Sequence, residues 1–171
     1  RSGTGESPWR YYAMAASIVV AVAAAGIFWR VNSTHFDSVE DYVAYHYTHD
    51  GQTLVVRGQG QSADNIDEVL NALQVGMTPE LSHMVELIQF CPTPDGKGAH
   101  LVLNTDHGPI TVIFMPNTPV IDGEEIEFDG MQARLVTLAY GSAAIIGTDA
   151  QHVADFSALV QNSIIPVIRE A

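Results

Sequence analysis

The sequence predicts an α+β protein, with one N-terminal transmembrane helix followed by an exterior domain of five or six mostly antiparallel strands and about three helices. A long uncharged run lies near the N-terminus, apolar residues recur at helical spacing in later segments, and glycine-containing turns separate short β-rich segments. Strands grouped together, rather than alternating strictly with helices, favour an antiparallel sheet over a parallel one. We expect the helices to pack on one face of this sheet.

The uncharged run covers seventeen residues, 13–29, and is rich in alanine. With the two preceding tyrosines, a helix rising about 1.5 Å per residue spans roughly 28 Å, close to the hydrocarbon core of about 30 Å. Aromatic and basic side chains typical of the membrane interface flank the predicted span 11–30, namely Trp9, Arg10, Tyr11, Tyr12, Trp29 and Arg30. Two alternatives stay open: a signal peptide ending near "AVAAAG", and a helix buried in a globular core.

Charge predicts the orientation of this span. Residues 1–30 carry three basic residues and one acidic residue, whereas residues 31–171 carry four basic and nineteen acidic residues. By the positive-inside rule, residues 1–10 form a cytoplasmic flank and residues 31–171 form an acidic periplasmic domain of a bacterial inner-membrane protein. Because residue 1 is not Met, we expect further cytoplasmic residues before it.

Composition limits the partners of the exterior part. Its acidity argues against nucleic-acid binding, since phosphates require a basic surface; the acidity reflects either function or a saline habitat. Cys91 is the single cysteine, so no internal disulfide forms, and a buried thiol is the expected state.

Three segments predict helices in the exterior part. Ser38 caps a helix that runs to about His49, with Asp41 completing a capping-box pattern. A second helix covers about 65–74, and a third covers about 149–165, where Pro166 ends it. "TLVVRG", between the first two helices, predicts a short edge strand.

The strand predictions rest on short connections. "HMVELIQFC", "AHLVLNT" and "PITVIFM" predict a three-strand antiparallel meander. Residues 126–128 and 131–139 flank Asp129-Gly130, the strongest hairpin pattern in the chain, and "SAAIIG" predicts a further strand.

Histidines and the cysteine suggest one chemical hypothesis. His46 and His49 can share a helix face, and Cys91 and His100 lie on adjacent predicted strands, so these four residues are candidate ligands for zinc or copper. The alternative for His46 is a packed, hydrogen-bonded side chain, because it continues an apolar stripe of its helix. No motif of an enzyme family is present, so we expect no catalytic residues and no cofactor other than this metal.

The segment "CPTPDGKGAHLVLNTDHGPITVIFMPNTPV" resembles an uncharacterised bacterial family of single-pass membrane proteins, as do "WRYYAMAAS" and "GSAAIIG". The matching positions are Cys91, His100, Gly108, Pro109, Thr111 and Val112. The resemblance implies an anti-sigma-factor-like architecture, in which a cytoplasmic segment holds a sigma factor and an exterior domain senses a signal. It implies no catalytic residues.

These expectations favour a membrane-anchored regulator whose exterior domain senses a ligand or a partner. The first alternative is an accessory subunit of a larger membrane complex, since the small residues of the span allow close helix contacts. The second alternative is a periplasmic metal-binding domain. The lipid bilayer and a protein are the expected partners, the protein being either a sigma factor or a membrane complex.

Overall fold

The computed structural model describes Val22, residues 36–51 and residues 63–167. The described residues from Phe36 onward belong to one compact unit. No helix within the described ranges is both long and apolar enough to cross a membrane. The predicted span 11–30 and its interface anchors lie outside the described residues, apart from Val22. They therefore stay predictions.

The described part of the chain has an α+β fold built on a six-stranded antiparallel sheet, which confirms the predicted class. The helices are α1 (Val39–His46), α2 (Ala63–Ala72), α3 (Pro79–Ser82) and α4 (Ala150–Ser163). A π-helical turn, Tyr47–Gly51, continues α1. The strands are β1 (Val75–Met77), β2 (Val85–Thr93), β3 (Gly96–Leu103), β4 (Ile110–Met115), β5 (Glu125–Phe128), β6 (Met131–Thr137), β7 (Ser142–Gly147) and β8 (Ile164–Pro166).

The large sheet has the order β2-β3-β4-β7-β6-β5. The predicted meander forms β2, β3 and β4, and the predicted Asp129-Gly130 turn joins β5 to β6. Both turn residues have positive φ, 48° and 76°, which a two-residue hairpin turn of this type requires. The chain then returns through β7, which pairs with β4 on one side and with β6 on the other. The central strands β4 and β7 are buried along their whole lengths.

The sheet separates two hydrophobic clusters, one on each face. On β4, Val112 and Phe114 join the cluster that contains α2, α3 and α4, whereas Ile113 and Met115 join the cluster that contains α1. This alternation follows from the period of two along a strand. The expectation that all helices cover one face is therefore wrong. The apolar stripe of α1 packs on the opposite face from the other three helices.

Local capping explains where two helices begin. The Ser38 side chain accepts a hydrogen bond from the Asp41 backbone N–H at 3.1 Å, as the capping pattern predicts. Asp149 caps α4 in the same way by accepting from the His152 N–H at 2.8 Å. The α-helical part of α1 ends at His46, and its π-helical continuation covers the predicted end at about His49. However, α4 ends at Ser163, earlier than predicted, and the helix predicted at about 65–74 is α2, which starts at Ala63 and ends at Ala72.

A small two-stranded sheet pairs β1 with β8. The segment predicted as the end of the last helix is strand instead, with Ile165 opposite Gly76. Pro166 does not end a helix but lies opposite Val75. Pro79 begins the short helix α3, where its missing N–H costs nothing. The strand predicted over "TLVVRG" lies outside the described residues.

Candidate functional site

The main polar feature of the interface between α1 and the sheet is a pair of buried histidines. His46, on the last turn of α1, and His100, in the middle of β3, are 4% and 0% exposed. Their ring nitrogens, His46 Nε2 and His100 Nδ1, lie 3.2 Å apart. The two residues are 54 positions apart in sequence, so this contact ties the start of the domain to its central sheet.

Burial determines the charge state of His100. Burial first, and the nearby His46 second, lower the pKa of His100 from 6.5 to about 3, so its imidazole is neutral at pH 7. Of the two nitrogens that face each other, one donates and the other accepts, and the ring tautomers decide which. The second ring nitrogen of His100, Nε2, is buried without a hydrogen-bond partner in the structure. Such an unpartnered polar atom in a well-packed core is uncommon and marks the residue for attention.

Aromatic contacts hold His46 and its helix in place. The Tyr42 ring stacks on the His46 ring, with centroids 5.5 Å apart and planes within 18°. The Tyr42 hydroxyl donates a hydrogen bond to the Pro92 carbonyl oxygen at 2.7 Å, which connects α1 to the end of β2. Phe36 then packs edge-on against Tyr42 at 5.3 Å. One ring stack and two polar contacts thus position α1 on the sheet.

The structure brings together two of the four predicted metal ligands. Cys91 is buried in the same cluster as α1, on β2 and opposite Gly98 of β3, so the prediction of adjacent strands is confirmed. His49 lies elsewhere: it is exposed, and its ring stacks on Tyr45 with centroids 3.9 Å apart. Among residues 36–51 and 63–167, no three His, Cys, Asp or Glu side chains are grouped to hold a metal ion. The predicted four-ligand set is not assembled.

A second histidine contact occurs where the β3–β4 loop meets the start of α4. His107 and His152 pack edge to face, with centroids 5.3 Å apart. Thr105 Oγ1 donates its only proton to the Gly108 carbonyl, so His152 Nε2, 2.9 Å from the same oxygen, is the donor in their contact. A pocket of about 380 Å³ lies beside these rings, lined also by Asp149. The sequence offered no sign of it, because a loop and a distant helix build it.

An open groove of about 350 Å³ lies between the first turn of α1 and the loop before β5. Its lining is mostly apolar, with Glu40 and Glu124 at its edge. A hydrogen bond from Ser38 chiefly lowers the pKa of Glu40, whereas desolvation and then a hydrogen bond with Glu40 raise the pKa of Glu124. The groove was also not predicted, since its two walls are about 80 positions apart.

Residues 3–164 match the model of a family described as a protein of unknown function, DUF3379. The chain belongs to this family. The match to DUF3379 extends through the predicted span 11–30 and includes both His46 and His100. No curated protein and no solved structure matches this chain. The description of DUF3379 assigns no activity, so a functional proposal has to come from the sequence and the geometry.

Proposed function

We propose that this DUF3379 protein is a single-pass regulator of the bacterial inner membrane, resembling anti-sigma factors, whose residues 31–171 sense a signal in the periplasm. The observation that carries this proposal is the docking of α1 on the central sheet. In sequence, α1 is the first described helix after the predicted span, separated from it by residues 31–38. A change in the sheet core that alters the docking of α1 therefore acts on the segment nearest the span.

The buried pair supports a regulatory role over a catalytic one. A catalytic histidine has to reach its substrate, but His46 and His100 are almost fully buried and line none of the described pockets. Their apolar surroundings suit a packing contact between α1 and the sheet. The α1 helix has only eight residues, so its own propensity is too weak to keep it folded without its packing on the sheet.

A topology reporter fused after Ala171 tests the membrane proposal. We expect a periplasmic reporter such as alkaline phosphatase to be active and a cytoplasmic one to be silent. We also expect the full chain to stay with the membrane fraction during alkaline carbonate extraction. A protein that carbonate removes, or a C-terminus reachable only from the cytoplasm, would end the proposal.

The regulatory part needs a separate test. We expect the complete chain, with any residues preceding Arg1, to retain a sigma factor in a purified complex. Stoichiometric recovery of an integral membrane assembly instead would favour the accessory-subunit hypothesis. Stoichiometric zinc or copper in the purified protein would favour the metal-binding hypothesis, which has the least geometric support because no three of its four candidate ligands are grouped in the described part of the chain.

A further inference from the structure

We propose that the open groove between α1 and the loop before β5 is a docking site for a segment of a partner protein, one that carries an arginine beside large apolar side chains. The binding itself is a property of the folded domain and does not depend on its membrane topology. The consequence for signalling rests on the proposed function, because α1, which forms one wall of the groove, is the described helix nearest in sequence to the predicted span. Occupancy of the groove is then the signal that the domain detects.

The lining of the groove supplies an apolar surface that an occupant can cover. Leu135 of β6 is buried, whereas Val39 of α1 and Val120 are half-buried. Ile121, in the loop before β5, is 70% exposed. Covering such a side chain removes apolar area from water, which favours binding of another apolar group. The groove volume of about 350 Å³ provides room for large apolar side chains of the occupant.

Two carboxyl groups determine the charge of the groove. Glu40, in the first turn of α1, and Glu124, directly before β5, lie close enough to form a hydrogen bond with each other. Among the described residues that line the groove there is no lysine, arginine or histidine. When both carboxyl groups are ionised they repel each other, and a cation between them removes that repulsion. Arginine suits this position best, because its planar fork of N–H donors can reach two carboxylates at once.

The open shape of the groove favours a protein segment over a small molecule. Small ligands bind in pockets that bury most of their surface, whereas this groove is open to solvent. Segments of partner proteins lie in open grooves and anchor themselves there by a few side chains. A second copy of this chain is disfavoured as the occupant, because a net charge of −13 sets one acidic surface against another.

Methyl NMR of the full chain in phosphatidylcholine nanodiscs, labelled at isoleucine, leucine and valine, tests the docking. The probe is a blocked pentapeptide with a central arginine, a leucine on each side and terminal serines. The matched probe replaces arginine by citrulline, which has nearly the same shape and no charge. We expect the arginine peptide to shift the Ile121 and Leu135 methyl signals saturably, and the citrulline peptide to bind at least about tenfold more weakly. Unshifted signals at both residues, or equal affinity of the two peptides, would overturn the proposal.

Two double variants assign the binding to the carboxyl pair. Glu40→Gln with Glu124→Gln keeps the size of both side chains but removes their charge, so the arginine peptide binds at least about tenfold more weakly and the citrulline peptide is unaffected. The control, Glu80→Gln with Glu127→Gln, removes the same net charge at two exposed carboxylates outside the groove and keeps the wild-type affinity. Equal losses in the two variants would contradict docking in the groove, because they would show an effect of net charge alone.

Ile121→Ser tests the apolar contact while both carboxyl groups stay in place. The side chain is mostly exposed, so the fold tolerates the change. The arginine peptide binds this variant several-fold more weakly, since less apolar area is covered. Unchanged affinity would show that the groove recognises charge alone and would overturn the apolar part of the proposal.

Two further measurements decide the identity of the occupant. Butylguanidinium, a small cation with the same head group, binds far more weakly than the arginine peptide, and equal affinity would show a small-molecule site instead. Arg57→Gln alters "TLVVRG", an apolar and basic segment of the chain itself, and leaves the peptide affinity unchanged. Tighter peptide binding in this variant would assign the groove to that segment rather than to a partner. The topology reporter tests the membrane role independently, so failure of the docking and failure of the proposed function are distinguishable.

Discussion

The pH dependence of folding stability follows directly from the burial of His100. Its pKa is about 3 in the folded protein, against an ordinary value of 6.5. Between these values the unfolded chain binds a proton that the folded chain does not. Stability therefore rises with pH over this interval. The contribution is complete above about pH 6.5 and is lost progressively as the pH falls toward 3.

The magnitude follows from the two pKa values. Between pH 7 and pH 5, the proton on the unfolded-state His100 lowers the free energy of unfolding by about 2 kcal/mol. The loss at pH 6 is much smaller, because only part of the unfolded chain is then protonated at this position. A loss of about 2 kcal/mol is a large fraction of the stability of an ordinary domain.

Urea unfolding of the full chain in detergent, monitored by near-ultraviolet circular dichroism at pH 7, 6 and 5, measures this effect. The many carboxylates also titrate, so the informative quantity is the difference between the wild-type protein and His100→Gln at each pH. We expect this difference to shrink by about 2 kcal/mol from pH 7 to pH 5. A constant difference would refute the reasoning, because it would mean that His100 binds the same number of protons in both states.

Three further substitutions have expected outcomes. Gly98→Ala lowers the free energy of unfolding by about 3 kcal/mol, because the new methyl group overlaps the Phe114 carbonyl oxygen; chemical denaturation measures it. Cys91→Ser keeps a cooperative thermal transition and costs about 1–2 kcal/mol, since a hydroxyl replaces a thiol in an apolar cluster. Tyr42→Phe removes the hydrogen bond to the Pro92 carbonyl and costs about 1 kcal/mol, read as a shift of the urea midpoint.

Matched control substitutions test whether each loss of stability comes from the stated contact rather than from substitution as such. Gly130→Ala places its methyl group in open space and is strained only by a φ of 76°, so it costs about 1 kcal/mol. Tyr45→Phe alters an exposed ring and leaves the urea midpoint nearly unchanged. If Gly98→Ala lowered the free energy of unfolding no more than Gly130→Ala does, crowding at β3 would be excluded as the cause of the destabilisation. A non-cooperative melt of Cys91→Ser would assign the thiol a larger role than packing.

The parts of the fold that were predictable have local causes. Ser38 and Asp41 are three residues apart, and Asp129-Gly130 determines its own turn, so short-range geometry is enough to predict each of them. His46 follows the apolar stripe of its helix, and its burial confirms the packed, hydrogen-bonded alternative. These features need no knowledge of the distant chain.

The features that were missed depend on distant contacts. β7 lies between β4 and β6, and this position depends on which strand edges are unpaired when β7 joins the sheet. The spacing of apolar residues along β7 does not indicate its partner strands. Periodicity also does not tell which face of the sheet α1 covers. Two things must be known to predict the contact of His46 with His100: the register of β3 and the face of the sheet on which α1 docks. The sequence identified both residues but could not pair them.

The pairing of β8 with β1 affects the timing of folding. These strands lie about 90 positions apart in sequence, so β1 has no partner in this sheet until β8 has been synthesised. The small sheet therefore closes only after the strands of the large sheet and α4 have been made, and earlier folding intermediates expose the surface that it will cover.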